Sequence, residues 1–243
     1  MRRGERLTLL LFIFVLLLII IGNNIHILKL QKRIDSLNID ADAHKRGKKH
    51  ETMIYIEVNN KVLNLLDSET KEIIKKYTIA TGKSASPTPL GTYEIVSKEK
   101  WGEGFGSRWM GLNVPWGEYG IHGTNKPSSI GSNISSGCIR MRNSDIEDLF
   151  EHIAVGSTVH ISNGPYGPFG YGFRTLKPGD RGADVLEVQK RLKYFNFYTG
   201  DLDGIYGEEM KKSLLNFLKE NNIKLTDKIT TEIYEAMGII LME

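Results

Sequence analysis

An apolar run near the amino terminus, residues 7–21, constrains this chain more than any other feature, because only Thr8 interrupts it. Three arginines precede the run: Arg2, Arg3 and Arg6. Such a segment is typical of a signal peptide or of a membrane-spanning helix. No small-residue cleavage site follows, and apolar character resumes through Leu28. We therefore predict a cytoplasmic stub and a retained transmembrane helix within residues 1–28, with the amino terminus inside.

The next segment, residues 29–50, holds a basic cluster without apolar periodicity: Lys45, Arg46, Lys48 and Lys49. We predict a solvated stalk there. The chain has 243 residues, of which 40% are hydrophobic and 25% charged, so two folded domains are expected beyond the stalk. They are expected outside the cytoplasm, held at the cell membrane by the single span. A net charge of only +3 argues against a nucleic-acid partner.

Short β-branched and aromatic runs predict a mainly β domain over residues 51–163. The predicted strands include residues 53–58, 61–66, 75–81 and 91–96. One amphipathic helix is predicted around residues 144–152, with Ser144 as its N-cap, because apolar residues recur there at helical spacing.

All three tryptophans of the chain lie in one glycine-rich stretch: Trp101, Trp109 and Trp116. Aromatic side chains beside glycines suit the wall of a groove that holds an extended peptide or sugar chain. Large aromatic residues also dominate the cores of β domains. The sequence leaves both interpretations open.

The only cysteine, Cys138, is either an inert buried thiol or a reactive one. A thiol attacks a carbonyl as thiolate, so it needs a base within reach, and His122 is the candidate. Arg140 and Arg142 would lower the pKa of the thiol by their charge. The small residues 135–137 would form a turn that exposes the sulfur and directs backbone amides at a developing oxyanion.

These residues resemble the signature of the L,D-transpeptidase catalytic domain family. His122 and Gly123 form a His-Gly pair, and Ser-Ser-Gly-Cys-Ile-Arg follows at residues 135–140. The resemblance extends upstream through residues 79–96 and covers about residues 51–162. Many members of the family carry a second histidine just before the Gly-Cys pair, where this chain has Ser136.

The resemblance implies a β-sandwich-like fold and covalent catalysis on peptidoglycan stem peptides. Cys138 would be the nucleophile, His122 the general base and acid, and the carbonyl of Gly123 would orient the imidazole. The residues that would bind substrate are Arg140, Ser136, Gly137 and Trp109. The family also implies inhibition by carbapenem-type β-lactams.

Neither a cofactor nor a metal is expected, because no set of His, Asp and Cys residues has metal-ligand spacing. The remaining candidate histidines, His152 and His160, are predicted to be structural, on the helix and on the last strand of the β domain.

The carboxy-terminal segment predicts a small three-helix bundle over residues 174–243, after a Gly- and Pro-rich linker at 164–173. The first helix carries Val185, Val188 and Leu192 on one face, the second begins near Glu208, and the third contains Ile229, Ile233 and Met237. The segment resembles the three-helix peptidoglycan-binding domain through Gly179, Gly182, Val185, Gln189, Leu192, Asp203, Gly204, Tyr206 and Gly207.

Three functions remain open at this point. The resemblance favours a transpeptidase that crosslinks stem peptides through a thioester and releases D-alanine. An L,D-carboxypeptidase would form the same acyl-enzyme and hydrolyse it. A non-catalytic wall-binding scaffold is disfavoured, because a scaffold has no need of a thiol and a base together.

Overall fold

The computed structural model describes residues 51–102 and 106–241. The predicted anchor (1–28) and stalk (29–50) lie outside the described residues. Within the described ranges, no helix combines the length and apolar character needed to cross a bilayer.

Ten strands and four helices make up the described chain. The strands are β1 (Thr52–Glu57), β2 (Val62–Asp67), β3 (Ile73–Thr78), β4 (Thr81–Gly82), β5 (Gly91–Lys100), β6 (Arg108–Leu112), β7 (Tyr119–His122), β8 (Asn133–Ser135), β9 (Ile139–Arg140) and β10 (Thr158–Ser162). The helices are α1 (Asn143–His152), α2 (Ala183–Tyr194), α3 (Glu208–Glu220) and α4 (Thr231–Ala236). Short 3-10 helices occupy Pro127–Ser129 and Gly167–Phe169.

Eight strands form one sheet in the order β3-β2-β1-β10-β5-β6-β7-β9, and β4 pairs with β8 separately. The mainly β prediction is therefore confirmed for this part of the chain. The two ends of the large sheet meet, because Ala80, just after β3, exchanges backbone hydrogen bonds of 2.8 and 2.9 Å with Arg140 of β9. The curled sheet buries one face around a shared core to which both of its halves contribute.

The helix α1 lies in the predicted place, but its predicted N-cap is wrong. The helix begins at Asn143, and the carbonyl of Arg142 accepts the first amide protons, from Asp145 and Ile146. Ser144 therefore lies inside the first turn, where its hydroxyl contacts Asp145 instead of capping the helix.

The predicted three helices of the carboxy-terminal region are present as α2, α3 and α4, around their own apolar core. The third is shorter than its apolar spacing indicated. Ile229 precedes it and pairs with Leu176 through the backbone, and Met237 follows its last residue. The segment 164–173, predicted as a linker, packs against this bundle through Phe173, whose ring stacks on Tyr234 at 4.3 Å.

The helical bundle docks on the β domain around Trp116. Trp116 is 5% exposed, and Leu186 and Ile205 of the helical region pack into the same core as this ring. Gly204 makes the closest approach, since a Cβ placed there would lie 2.4 Å from Cε3 of Trp116. Its φ of +66° is also a conformation that L-residues rarely adopt. Glycine is therefore required at position 204 for two reasons: the left-handed backbone and the close contact with Trp116.

We expect Gly204→Ser to lower the free energy of unfolding by about 2 kcal/mol or more, from the left-handed backbone and the collision with Trp116. The matched control is Gly207→Ser, because Gly207 has φ −90° at the start of α3 and no heavy atom within 4 Å of its Cβ position. Serine is favoured at a helix N-cap, so the control should change stability by about 0.5 kcal/mol or less. Chemical denaturation of both variants measures the difference. Equal stabilities would contradict the tight docking described above.

Candidate active site

The pairing of β6, β7 and β9 determines which side chains share a face. Ile121 of β7 pairs with Ile139 of β9 in parallel register, and both are fully buried in the core. Because side chains alternate along a strand, His122 and Cys138 both belong to the opposite face. The register also brings Cys138 beside Gly120, whose backbone amide favours the thiolate form of the sulfur.

His122 is held in one orientation. The side chain is 3% exposed, and its Nδ1 lies 2.6 Å from the carbonyl oxygen of Gly123. A carbonyl only accepts hydrogen bonds, so Nδ1 carries a proton, and in the neutral imidazole Nε2 carries the lone pair. The Gly123 carbonyl thus has the position that the resemblance implied. The ring of Trp109, directly across the strand pair, stacks on the imidazole at 5.7 Å.

The residues before Cys138 form a tight turn organised by Ser135. The Ser135 hydroxyl donates to the carbonyl of Cys138 at 2.6 Å and accepts from the amide of Gly137 at 3.1 Å. Gly137 has φ +119°, and a Cβ there would lie 2.5 Å from the ring of Tyr119. The Gly137 amide is therefore already bonded within the turn, so it does not point at an oxyanion as the sequence had suggested. Ser136 is exposed at the tip of this turn.

Burial raises the pKa of the Cys138 thiol above its ordinary value. The amide of Gly120 and the charge of Arg140 act in the opposite direction, and Glu118 adds to the increase. The charge of Arg140 thus lowers this pKa as predicted, but desolvation of the thiolate outweighs that effect and the net shift is upward. The half-buried sulfur rests as a neutral thiol.

The two arginines after the nucleophile have different surroundings. Arg140 is half-buried in β9, and its Nε is buried without a hydrogen-bond partner among the described residues. Arg142 instead points its guanidinium toward Asp145 of α1, 3.8 Å away. Only Arg140 acts on the sulfur as predicted.

The sequence left open whether the tryptophans form a groove wall or pack in the core, and the structure answers differently for different tryptophans. Trp109 and Trp116 are 7% and 5% exposed and belong to the packed interior. Trp101 is 37% exposed and stacks on Trp109 at 5.6 Å. His152 and His160 lie on α1 and β10 as predicted, and His160 stacks on the ring of Tyr55.

Sequence analysis missed Asn143, whose side-chain oxygen the structure places against the chain that follows His122. Its Oδ1 accepts hydrogen bonds from the amides of Thr124 at 3.1 Å and Ser107 at 3.2 Å. A Cβ at Gly123 would lie only 2.3 Å from this oxygen, so glycine is what permits the approach. Asn143 thereby supports the backbone whose carbonyl holds His122. The signal in the sequence that could have identified Asn143 was its amide side chain at the start of the predicted helix.

Comparisons with known proteins agree with this geometry. The family profile of the YkuD L,D-transpeptidase catalytic domain matches residues 52–161, and that of the putative peptidoglycan binding domain matches residues 181–237. The putative L,D-transpeptidase YqjB of Bacillus subtilis is 35% identical in an alignment of 128 residues that covers 45% of this chain and 71% of YqjB. The chain belongs to the L,D-transpeptidase family.

Two YkuD proteins are similar to this family member over the same region. The putative L,D-transpeptidases YkuD of Bacillus licheniformis and Bacillus subtilis are 40% and 39% identical over 110 residues. The match covers 45% of this chain and 64% and 65% of the two relatives. This L,D-transpeptidase family member thus spans slightly less than two thirds of the length of the YkuD relatives.

The raised pKa of Cys138 predicts how its alkylation by iodoacetamide depends on pH. Only the thiolate reacts, so the rate should continue to rise above the pH at which free cysteine, measured in parallel, approaches its plateau. The rate of adduct formation is followed by intact mass, and Cys138→Ala should show none. A plateau near neutral pH would instead indicate a preformed thiolate–imidazolium pair.

We expect Asn143→Ala to slow acylation of Cys138 by an activated ester by about tenfold, because the Gly123 carbonyl and the imidazole would lose their alignment. Asn143→Asp should retain most of the rate, since a carboxylate oxygen accepts the same two amide protons. Release of the leaving alcohol measures the rate, and thermal unfolding checks that both variants fold. A folded Asn143→Ala protein with the wild-type rate would contradict this role.

Proposed function

We propose that this protein is an L,D-transpeptidase that crosslinks peptidoglycan stem peptides through a thioester on Cys138. The observation that carries the proposal is the shared sheet face of Cys138 and His122, with Nδ1 of His122 bonded to the carbonyl of Gly123. This bond leaves Nε2 as the nitrogen that accepts a proton. A thiol and an oriented base on one face are what acyl transfer by cysteine requires.

The first half-reaction begins from the neutral thiol. Cys138 attacks the carbonyl between the L-centre of the diamino acid and the terminal D-alanine, and its proton passes to Nε2 of His122. Because burial raises the pKa of the thiol, this proton transfer accompanies attack instead of preceding it. The imidazolium then protonates the leaving amine, D-alanine departs, and a thioester remains.

The second half-reaction reverses these roles. The amine of a neighbouring stem's diamino acid attacks the thioester, and His122 removes its proton. The sulfur leaves and recovers a proton from the imidazolium, which restores the neutral pair. The product is a crosslink between the third residues of two stems.

The predicted substrate-binding residues differ in how well their surroundings suit that role. Arg140 fits best, because it is close enough to act on the sulfur and its Nε has no partner among the described residues. In this proposal it binds the carboxylate of the departing D-alanine. Ser136 is exposed beside the nucleophile and is available to a peptide. Gly137 and Trp109 act indirectly, by shaping the turn and by packing on His122.

The proposal places the enzyme on the wall side of the cell membrane. Membrane attachment through residues 1–28, followed by a stalk over residues 29–50, is part of this proposal, and its support is the apolar run in the sequence. The carboxy-terminal helices hold the enzyme on its polymeric substrate, which the match to the peptidoglycan-binding family supports.

Incubation of the full chain with a stem tetrapeptide and an amine acceptor should release D-alanine and yield a crosslinked product. Mass spectrometry measures both. Cys138→Ala should form neither, and a carbapenem should acylate the wild-type chain at Cys138 alone.

Two results would count against the proposal. Release of D-alanine with tripeptide as the only other product would make the protein a carboxypeptidase. Absence of any acylated Cys138, with folded protein, would leave no support for a thioester mechanism.

A further inference from the structure

A cleft of about 700 Å³ lies between the β domain and the helical bundle. On one side it is lined by the chain from Gly82 to Leu90, and on the other by residues 168–172 and 179–184. Trp116 and Tyr119 also contribute to its walls. Its volume is in the range of sites that bind small molecules or a few residues of a peptide.

The cleft adjoins the nucleophile without containing it, since neither Cys138 nor His122 lines it. Two of its walls touch the turn before Cys138. The ring of Tyr119 packs on Gly137, and the carbonyl oxygen of Pro87 lies 3.3 Å from the Cβ position of the same glycine. A ligand in the cleft therefore lies next to the residues that position the sulfur.

The charges that line the cleft do not cancel. The lining includes four cationic side chains, Lys61, Lys83, Arg174 and Arg181, and two carboxylates, Asp180 and Asp184. Arg174 pairs with both carboxylates, at 3.5 Å and 2.6 Å.

Lys61 is also engaged, because its ammonium donates to the backbone carbonyl of Val58. Of the four cationic residues that line the cleft, Lys83 and Arg181 remain to be considered. Both side chains are exposed, and within the described ranges neither has an ion-pair partner. They come from opposite sides of the cleft, one from the β domain and one from the helical bundle. The field of Arg181 also reaches Tyr119, where it lowers the pKa of the phenol against the larger effect of burial.

We propose that this cleft binds the acidic part of a stem peptide away from the scissile bond, with Lys83 and Arg181 pairing with its carboxylate. The inference rests on the proposed function and extends it, because it assigns recognition of the stem to both domains together. An acidic peptide satisfies the two cations, and the turn before Cys138 adjoins the cleft through Tyr119 and Pro87. The helical bundle is then one wall of the substrate site as well as an anchor on the polymer.

The experiment titrates the full chain, as Cys138→Ala to prevent turnover, with a synthetic stem tetrapeptide that carries a free glutamate carboxylate. The same peptide with that carboxylate as a carboxamide is the second ligand, and calorimetry gives both dissociation constants. Lys83→Glu and Arg181→Glu are introduced separately. Lys190→Glu is the matched control, because Lys190 is exposed on α2, pairs with Glu187 and does not line the cleft.

Each cleft variant should weaken binding of the acidic peptide by about fivefold, the range of one partly exposed ion pair with added repulsion. Binding of the carboxamide peptide should change little, and Lys190→Glu should behave as the parent. The backbone bridge of Arg181 to Ile205 does not involve the substituted side chain, so the fold is retained.

Equal weakening for both peptides, or no weakening in either cleft variant, overturns the assignment of the cleft. Failure of the parent chain to bind the acidic peptide overturns it as well. Turnover by the wild-type enzyme tests the proposed function separately. An enzyme that crosslinks, but whose cleft variants bind both peptides as the parent does, refutes the cleft assignment alone.

Discussion

The parallel pairing of β7 with β9 is the interaction on which the candidate site depends. Strand β9 has only two residues, yet β7 holds it on one side and Ala80 on the other. Burial of Ile121 and Ile139 in the core sets the register, and the register sets the face that carries Cys138 and His122. A slip of one residue would turn the sulfur into the core. The packing of Ile121 and Ile139 therefore determines which face carries Cys138 and His122, although neither isoleucine lies on that face.

The environment of the sulfur favours the neutral thiol. Burying a thiolate beside an imidazolium would cost free energy of desolvation, which the surroundings of Cys138 offset only in part. The amide of Gly120 and the charge of Arg140 both favour the thiolate, but burial prevails. The bond from His122 to the carbonyl of Gly123 orients the imidazole and, in its neutral form, sets the tautomer.

The helical bundle and the β domain are coupled through a short series of contacts. Gly204 approaches Trp116, Tyr119 packs against the core that contains Trp116, and the ring of Tyr119 also packs on Gly137 beside Cys138. Packed side chains transmit displacement because interiors leave little free volume. The cleft lined by both domains adjoins this series of contacts.

The sequence alone determined the features that depend on neighbouring residues. Strand alternation, the apolar faces of α2 and α3, and the motif that pairs His122 with Cys138 are all local patterns, and each was predictable. The predicted N-cap at Ser144 is wrong because the helix is capped two residues earlier, at Arg142, whose carbonyl accepts the first amide protons. Only the tertiary structure decided the sign of the Cys138 pKa shift, the support that Asn143 gives to Gly123, and the burial of Trp116. Each of these three features depends on contacts between segments that are far apart in the chain. Such segments desolvate one another and form hydrogen bonds only in the folded sheet.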